Sequence, residues 1–158
     1  MNMYESVTKN LKEYEEEYVD EDDFEEGDFV GEIKSNKGIY VGDPCYVVYD
    51  DIYDNIWGEK YNYGDGVIKT DRGNFVVHGT YFGDGCYGFS YRFPVDSGTI
   101  AIVPGELIDD KKVSQYTGGI NSLGHFFDTS NWAAMSYREG TFKIDLNNKD
   151  SFLIDTKE

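Results

Sequence analysis

Proline, cysteine and histidine are scarce in this chain: three Pro, two Cys and two His among 158 residues. Two cysteines exclude the disulfide framework that staples small secreted folds. Bases are scarce too. Fourteen Lys and Arg stand against 31 Asp and Glu, a formal charge of −17. Direct binding to nucleic-acid phosphates needs a basic footprint and is excluded as an expectation, as is docking on an anionic membrane. No apolar run approaches the roughly 18 residues of a bilayer-spanning helix. The opening Met1-Asn2-Met3-Tyr4-Glu5 has neither a basic nor an apolar leader region, so a cytoplasmic protein is expected. The chain lacks Gly-x-x-x-x-Gly-Lys-Ser/Thr, Gly-x-Gly-x-x-Gly, Gly-x-Ser-x-Gly and any EF-hand loop. Ser6-Val7-Thr8-Lys9 fits a Ser-x-x-Lys spacing by chance, away from any expected pocket.

What is present is aromatic, glycine-rich and unevenly acidic. Fourteen Tyr, ten Phe and 18 Gly favour strands joined by glycine turns. Eleven of the 31 acids fall between Glu13 and Asp28 with no base among them, so the remaining 20 acids face 14 bases. Val7, Leu11, Tyr14 and Tyr18 follow a helical stripe, which predicts an amphipathic helix over Tyr4 to Val19. Residues 1–28 therefore read as an acidic helical arm and 29–158 as one β-rich α+β domain. Such an arm packs on its own domain, stands as a loose solvated arm, or engages a basic protein partner. In the last case Tyr14, Tyr18 and Phe24 anchor, and carboxylates such as Asp22 steer.

Beyond the arm, Phe29 to Lys34 and Gly38 to Val41 flank Ser35-Asn36-Lys37 and predict a hairpin. Asp43 is placed to cap a helix with Pro44 at its first position. Val48, Ile52 and Ile56 predict a helix from Cys45 to Gly58, with Gly58 as its stop. Val67 to Thr70 and Phe75 to Thr80 read as strands about a turn at Asp71 to Asn74. Cys86 to Phe93 reads as a strand, Thr99 to Val103 as a buried strand, and Glu106 to Ser114 as a short helix. Thr117 to Asn131 reads as loop. Trp132 to Tyr137 is open between helix and strand. Thr141 to Leu146 and Ser151 to Asp155 read as strands. The fold class is α+β: an antiparallel sheet or partial β-barrel with one or two packed helices and the acidic N-terminal helix.

Both cysteines lie in a repeated phrase, Gly42-Asp43-Pro44-Cys45-Tyr46 and Gly83-Asp84-Gly85-Cys86-Tyr87. Pro44 makes the first a helix cap, and Gly85 makes the second a turn into a strand, so a duplicated catalytic unit is not expected. Cys45, Cys86, His78 and His125 are ligand types for zinc, but their spacing is not that of a zinc site. No metal or cofactor is expected. Cys45 at a helix start is a candidate nucleophile with His78 or His125 as base, against the alternative of a small buried residue. Asp43, Asp65, Asp84 and Asp96 sit beside turns, where carboxylates serve turn chemistry or converge on a ligand. An aromatic pocket of Tyr46, Trp57 and Tyr87 with Asp43, Asp84 and Asp96 would suit a nucleotide-like small molecule, with Arg72, Arg92 and Arg138 as phosphate partners.

Three stretches taken in order, Gly38 to Val47, Gly79 to Tyr87 and Val95 to Pro104, resemble a group of small uncharacterised proteins of bacteria and their phages. Those proteins carry a Gly-Asp-Pro-Cys-Tyr motif, a Gly-Asp-Gly-x-Tyr motif and an Asp-Ser/Ala-Gly strand start. The matching positions are Asp43, Cys45, Tyr46, Asp84, Tyr87 and Asp96. The resemblance implies bacterial or phage origin and carries no activity with it. The expected function is that of a non-enzymatic binding protein, inhibitor or immunity-type, acting on a basic protein. The alternatives are a small-molecule-sequestering protein and, after it, an Asp- or Cys-dependent hydrolase.

Overall fold

The computed structural model describes residues 27–88, 90–147 and 151–157. The predicted helix over Tyr4 to Val19 and the rest of the acidic arm lie outside the described residues. The architecture is α+β and dominated by antiparallel sheet. Among the described residues no helix is long and apolar enough to cross a membrane.

Two sheets form the frame. The first has four strands in the order β1-β9-β10-β11: β1 (Asp28–Lys34), β9 (Trp132–Arg138), β10 (Thr141–Leu146) and β11 (Ser151–Asp155). The second has five in the order β3-β4-β7-β2-β8: β3 (Gly66–Thr70), β4 (Gly73–Gly79), β7 (Thr99–Pro104), β2 (Ile39–Gly42) and β8 (Gly124–Phe127). A separate hairpin joins β5 (Gly85–Gly88) to β6 (Arg92–Val95). All pairings are antiparallel, and neither sheet closes into a barrel.

The five-stranded sheet is covered on both faces, and its strands show it. All six residues of β7 are buried. Successive strand side chains point to opposite faces. Ile100 and Ile102 join Val76, Ile39 and Val41 in a core shared with Ile33, Met135, Phe142, Ile144 and Ile154 of the first sheet. Ala101 and Val103 join Phe75, Val77 and Tyr40 in a second core, roofed by Val48, Ile52, Trp57 and Leu107. The molecule is thus layered: four strands, five strands, then short helical pieces. His78 of β4 stacks on Tyr137 of β9 with ring centroids 3.7 Å apart, joining the two sheets at their rim.

The predicted hairpin, one strand and one loop need correction, and so does one helix. The hairpin expected from Phe29 to Val41 does not form, because β1 pairs with β9 while β2 pairs with β7 and β8. Residues 35 to 38 instead carry the chain from one sheet to the other. Ser35 N–H donates to the Asn131 carbonyl, Gly105 N–H donates to the Gly38 carbonyl, and Glu106 accepts from both the Ser35 hydroxyl and Asn36 N–H. The strand expected from Cys86 to Phe93 is folded back on itself as β5 and β6. The loop expected from Thr117 to Asn131 contains β8.

The helix expected over Cys45 to Gly58 is split. Pro44–Tyr46 is a 3-10 turn, Val48 bridges to Ile108, and a π-helix at Ile52–Gly58 continues into an α-turn at Glu59–Tyr61. Gly58 does not end it; Asn62, with φ 53°, does. The wider winding of a π-helix brings residues five apart, as well as four apart, toward one face. Ile52 and Trp57 are accordingly buried, while Ile56, four residues after Ile52, is only partly so. Trp132 to Tyr137, open between helix and strand in the sequence, is strand β9.

The two sheets come close at Gly31, where β1 also shifts register against β9. A Cβ there would lie 2.5 Å from Val67 Cγ2 and 3.0 Å from Val76 Cγ2. Gly31→Val is expected to lower unfolding stability by about 1–3 kcal/mol through overpacking, read from urea denaturation. An unchanged midpoint would show that the sheets separate there without cost.

Candidate functional site

The motif residues gather around the turn between β6 and β7, residues Asp96 to Gly98. Asp43 follows β2 in extended conformation and caps the 3-10 turn: its Oδ1 accepts from Cys45 N–H at 2.8 Å, with Pro44 at the first position. The same oxygen accepts the Ser97 hydroxyl at 2.7 Å. Its Oδ2 accepts Asp96 N–H at 2.6 Å and Ser97 N–H at 2.7 Å. Asp43 is fully buried, so these four bonds, three of them from backbone, replace the water its carboxylate has lost. The single Ser97 hydroxyl proton is committed to Asp43. In the 2.6 Å contact between Ser97 Oγ and Thr99 Oγ1, the donor is therefore Thr99. Tyr46 completes the group by donating its hydroxyl to Asp96 Oδ2 at 2.5 Å.

The glycine of the first motif has a steric cause. Gly42 faces Gly124 across β2 and β8. A Cβ on Gly42 would lie 2.6 Å from the Tyr40 hydroxyl, and one on Gly124 would lie 2.5 Å from the Val41 carbonyl oxygen and 2.8 Å from Tyr40 Cε1. The Tyr40 ring occupies that space and donates its hydroxyl to the Asp43 carbonyl at 2.9 Å.

The second motif reaches the same turn by another route. Thr80 N–H donates to the Gly98 carbonyl at 2.9 Å, and the Thr80 hydroxyl donates to the Gly83 carbonyl at 2.6 Å. Gly98 has φ +78°, and a Cβ there would meet Gly83 Cα at 3.6 Å and Asp84 Oδ1 at 3.8 Å. Asp84-Gly85 leads into β5, and the Tyr87 hydroxyl donates back to the Gly83 carbonyl at 3.0 Å. The copies thus differ in conformation and share a neighbour.

Of the residues expected to line a pocket, Asp43, Tyr46 and Asp96 are hydrogen-bonded together, and Asp84 and Tyr87 lie beside them across Gly98. Tyr46 and Trp57 pack in the core under the helical pieces, whereas Tyr87 packs in the core between the sheets. Trp57 is 1 % exposed, with its ring N–H donating to the Gly64 carbonyl at 2.9 Å. Arg72 pairs with Asp51 at 2.7 Å, and Arg92 donates to the Cys86 carbonyl at 2.7 Å. Tyr14, Tyr18, Asp22 and Phe24 lie outside the described residues. Ser97 and Thr99 were not singled out by the sequence, although the Asp-Ser-Gly strand start was the available signal.

The electrostatics are those of a closed site. Cys45 and Cys86 are both free thiols. Burial pushes the Cys45 thiol far above its usual range, and the charge of Asp43 adds to this, so Cys45 is a protonated thiol at neutral pH. That is the opposite of the lowered thiol pKa that a nucleophile at a helix start needs, and it favours the alternative of a small packed residue. Burial likewise raises the Tyr46 hydroxyl, with the Asp96 hydrogen bond and charge adding to it. Among the described residues no cluster of three or more His, Cys, Asp or Glu is placed to hold a metal ion. No family model, curated protein or solved structure matches the chain.

Asp43→Asn tests the clamp. Whichever way the amide is turned, its NH2 faces backbone N–H groups, of Cys45 in one orientation and of Asp96 and Ser97 in the other. A loss of about 3 kcal/mol is expected in urea unfolding, against about 1 kcal/mol for Ser97→Ala, which leaves the backbone bonds in place. A cost for Asp43→Asn within ~0.5 kcal/mol, the level of an ordinary surface change, would refute the assignment.

His125 gives a pH dependence. It is 5 % exposed, its Nε2 lies 3.3 Å from the Tyr91 carbonyl, and its ring lies against those of Tyr91 and Phe93. Burial holds its pKa down to about 4. The unfolded chain therefore takes up the proton first. The contribution to stability is complete above the unfolded value of about 6.5 and is lost as pH falls toward 4, reaching at most about 3 kcal/mol. His125→Phe should flatten the stability profile between those pH values. An unaltered slope in the variant would place the acid sensitivity elsewhere.

Proposed function

We propose that the protein is a non-enzymatic binding protein of bacterial or phage origin, of inhibitor or immunity type, whose partner is a basic protein. The observation that carries this reading is where the acidity resides. Among the described residues Asp43 is the one buried carboxylate, and the other acids are at least partly exposed. Their surplus over bases is spent on solvent rather than on internal pairing. The run from Glu13 to Asp28 adds eleven acids without a base, interspersed with Tyr14, Tyr18 and Phe24. Carboxylates steer a cationic partner to the surface, and aromatic side chains then supply the desolvated contact.

The distinctive motifs support the same reading by what occupies them. Asp43 has its acceptor sites filled from within the fold, and Cys45 is held as a thiol. Asp43 holds the β6–β7 turn and Cys45 sits in the 3-10 turn that Asp43 caps, which supports a role for the molecular surface over one for a reaction centre.

The test is affinity capture on the full chain from a bacterial lysate, with a companion full-length chain in which the acids from Glu13 to Glu26 are changed to Gln or Asn. Captured partners are expected to be basic and to be released as salt rises toward about 0.5 M. The companion chain should lose most of the capture. Equal capture by both chains, with equal salt dependence, would rule the proposal out.

A further inference from the structure

The loop from Thr80 to Asp84, between β4 and β5, holds two aromatic rings in solvent. Tyr81 is 54 % exposed and Phe82 is 66 % exposed, with ring centroids 4.8 Å apart in an edge-to-face pair. Adjacent exposed rings of this size are a binding feature more than a packing one. The loop beneath them is tied down. Thr80 donates through its N–H to Gly98 and through its hydroxyl to Gly83; Tyr81 N–H donates to Thr156 Oγ1 at 3.0 Å; and Tyr87 donates to Gly83. The backbone that carries the rings is fixed while the rings themselves stay uncovered. That is a preorganised surface, which loses little entropy when a partner lands on it.

Its surroundings select the partner's charge. Asp84 belongs to the loop and is exposed. Asp65, also exposed, accepts Gly79 N–H at 2.9 Å just ahead of the loop and lies 3.4 Å from His78 Nε2. Glu139 is exposed beside Gly140, where a Cβ would lie 3.0 Å from Tyr81 Cβ. Within the structure Lys157 sets its Nζ 5.9 Å from the Tyr81 ring centroid, so this ring already serves a cation, and a partner's cation would take the place of Lys157. A guanidinium suits such a place better than an ammonium, because its plane stacks on an aromatic face while its N–H fork bonds a carboxylate.

We propose that Tyr81 and Phe82, rimmed by Asp65, Asp84 and Glu139, form a docking surface for an arginine-bearing segment of a basic protein. This deepens the reading given above and rests on it, adding a contact on the folded body to the one on the acidic run.

The probes are an oligo-arginine and an oligo-lysine peptide of equal length, titrated into the full chain by calorimetry and followed by amide chemical shifts. The arginine peptide is expected to bind more tightly, with shifts centred on Tyr81, Phe82 and Asp84. The double variant Tyr81→Ala/Phe82→Ala retains every carboxylate and should weaken arginine-peptide binding by roughly tenfold with little change in Tm. Phe82→Ala alone, at the more exposed of the two rings, gives a smaller loss in the same direction and serves if the double variant does not fold. Undiminished binding by these variants overturns the proposal. If that binding then disappears when the Glu13–Glu26 acids are neutralised, the basic-partner reading stands and only the surface is lost. Failure of the parent chain to bind either peptide sinks both.

Discussion

The buried carboxylate of Asp43 is the interaction on which the rest of the arrangement depends. Removing a carboxylate from water costs several kcal/mol unless strong donors replace the water. Here the donors are the backbone of Cys45, Asp96 and Ser97 and the hydroxyl of Ser97. The three bonds from Asp96 and Ser97 join positions more than fifty residues apart, at the exit of β2 and the entry to β7. Those two strands lie side by side in the middle of the five-stranded sheet. One side chain therefore fixes where the sheet's central pair ends, where the helical layer starts and how the β6–β7 turn is held. The second motif then leans on that turn through Gly98.

With its most distinctive residues spent on such a joint, the proposed binding role falls to the outer surface. The two cores lie on opposite faces of one sheet and take Tyr46, Trp57 and Tyr87 as packing. What remains outside is acidic and includes several large exposed aromatic side chains, Phe29, Tyr63, Tyr81 and Phe82 among them. Charge that acts at a distance and rings that act on contact are the two halves of a protein-recognition surface. The loop carrying Tyr81 and Phe82 is pinned by the same Gly98 that the motifs converge on, so the joint also sets the pose of the rings.

Local chemistry was legible in the sequence, and partner choice was not. Asp43 and Pro44 announced a cap because an Asx oxygen and a fixed φ act on the next two residues. The strands from Val67 to Thr80 were legible because their turn is short and their pairing sequential. Ser35-Asn36-Lys37 has the composition of a hairpin turn, yet the strands it links pair with β9 in one case and with β7 and β8 in the other. That outcome depends on residues between 59 and 109 positions away. Val48, Ile52 and Ile56 counted as an α-helical stripe because a period near four is assumed; the π-helix changes the period, and Trp57 takes the buried place. The four residues of β8 are too short to show alternation. For the site, the three motifs were visible as phrases in order, but that Asp43 grips Ser97 is a tertiary fact with no local trace.

Tyr40, Gly42 and Gly124 make up one steric unit: a ring lying across two residues that have no side chain. The ring fills what would otherwise be a void between two strands, and each glycine is a vacancy shaped by the ring. Such a trio constrains descent as well as structure. A single change at either glycine collides with the ring, and a single reduction of the ring opens a hole beside the Asp43 carbonyl. Divergent copies of this fold are then bound to keep Gly124, which the Val41 carbonyl also constrains, and to keep Tyr40 and Gly42 or exchange them together, so that the trio becomes a signature by which kinship can be judged where overall identity has faded.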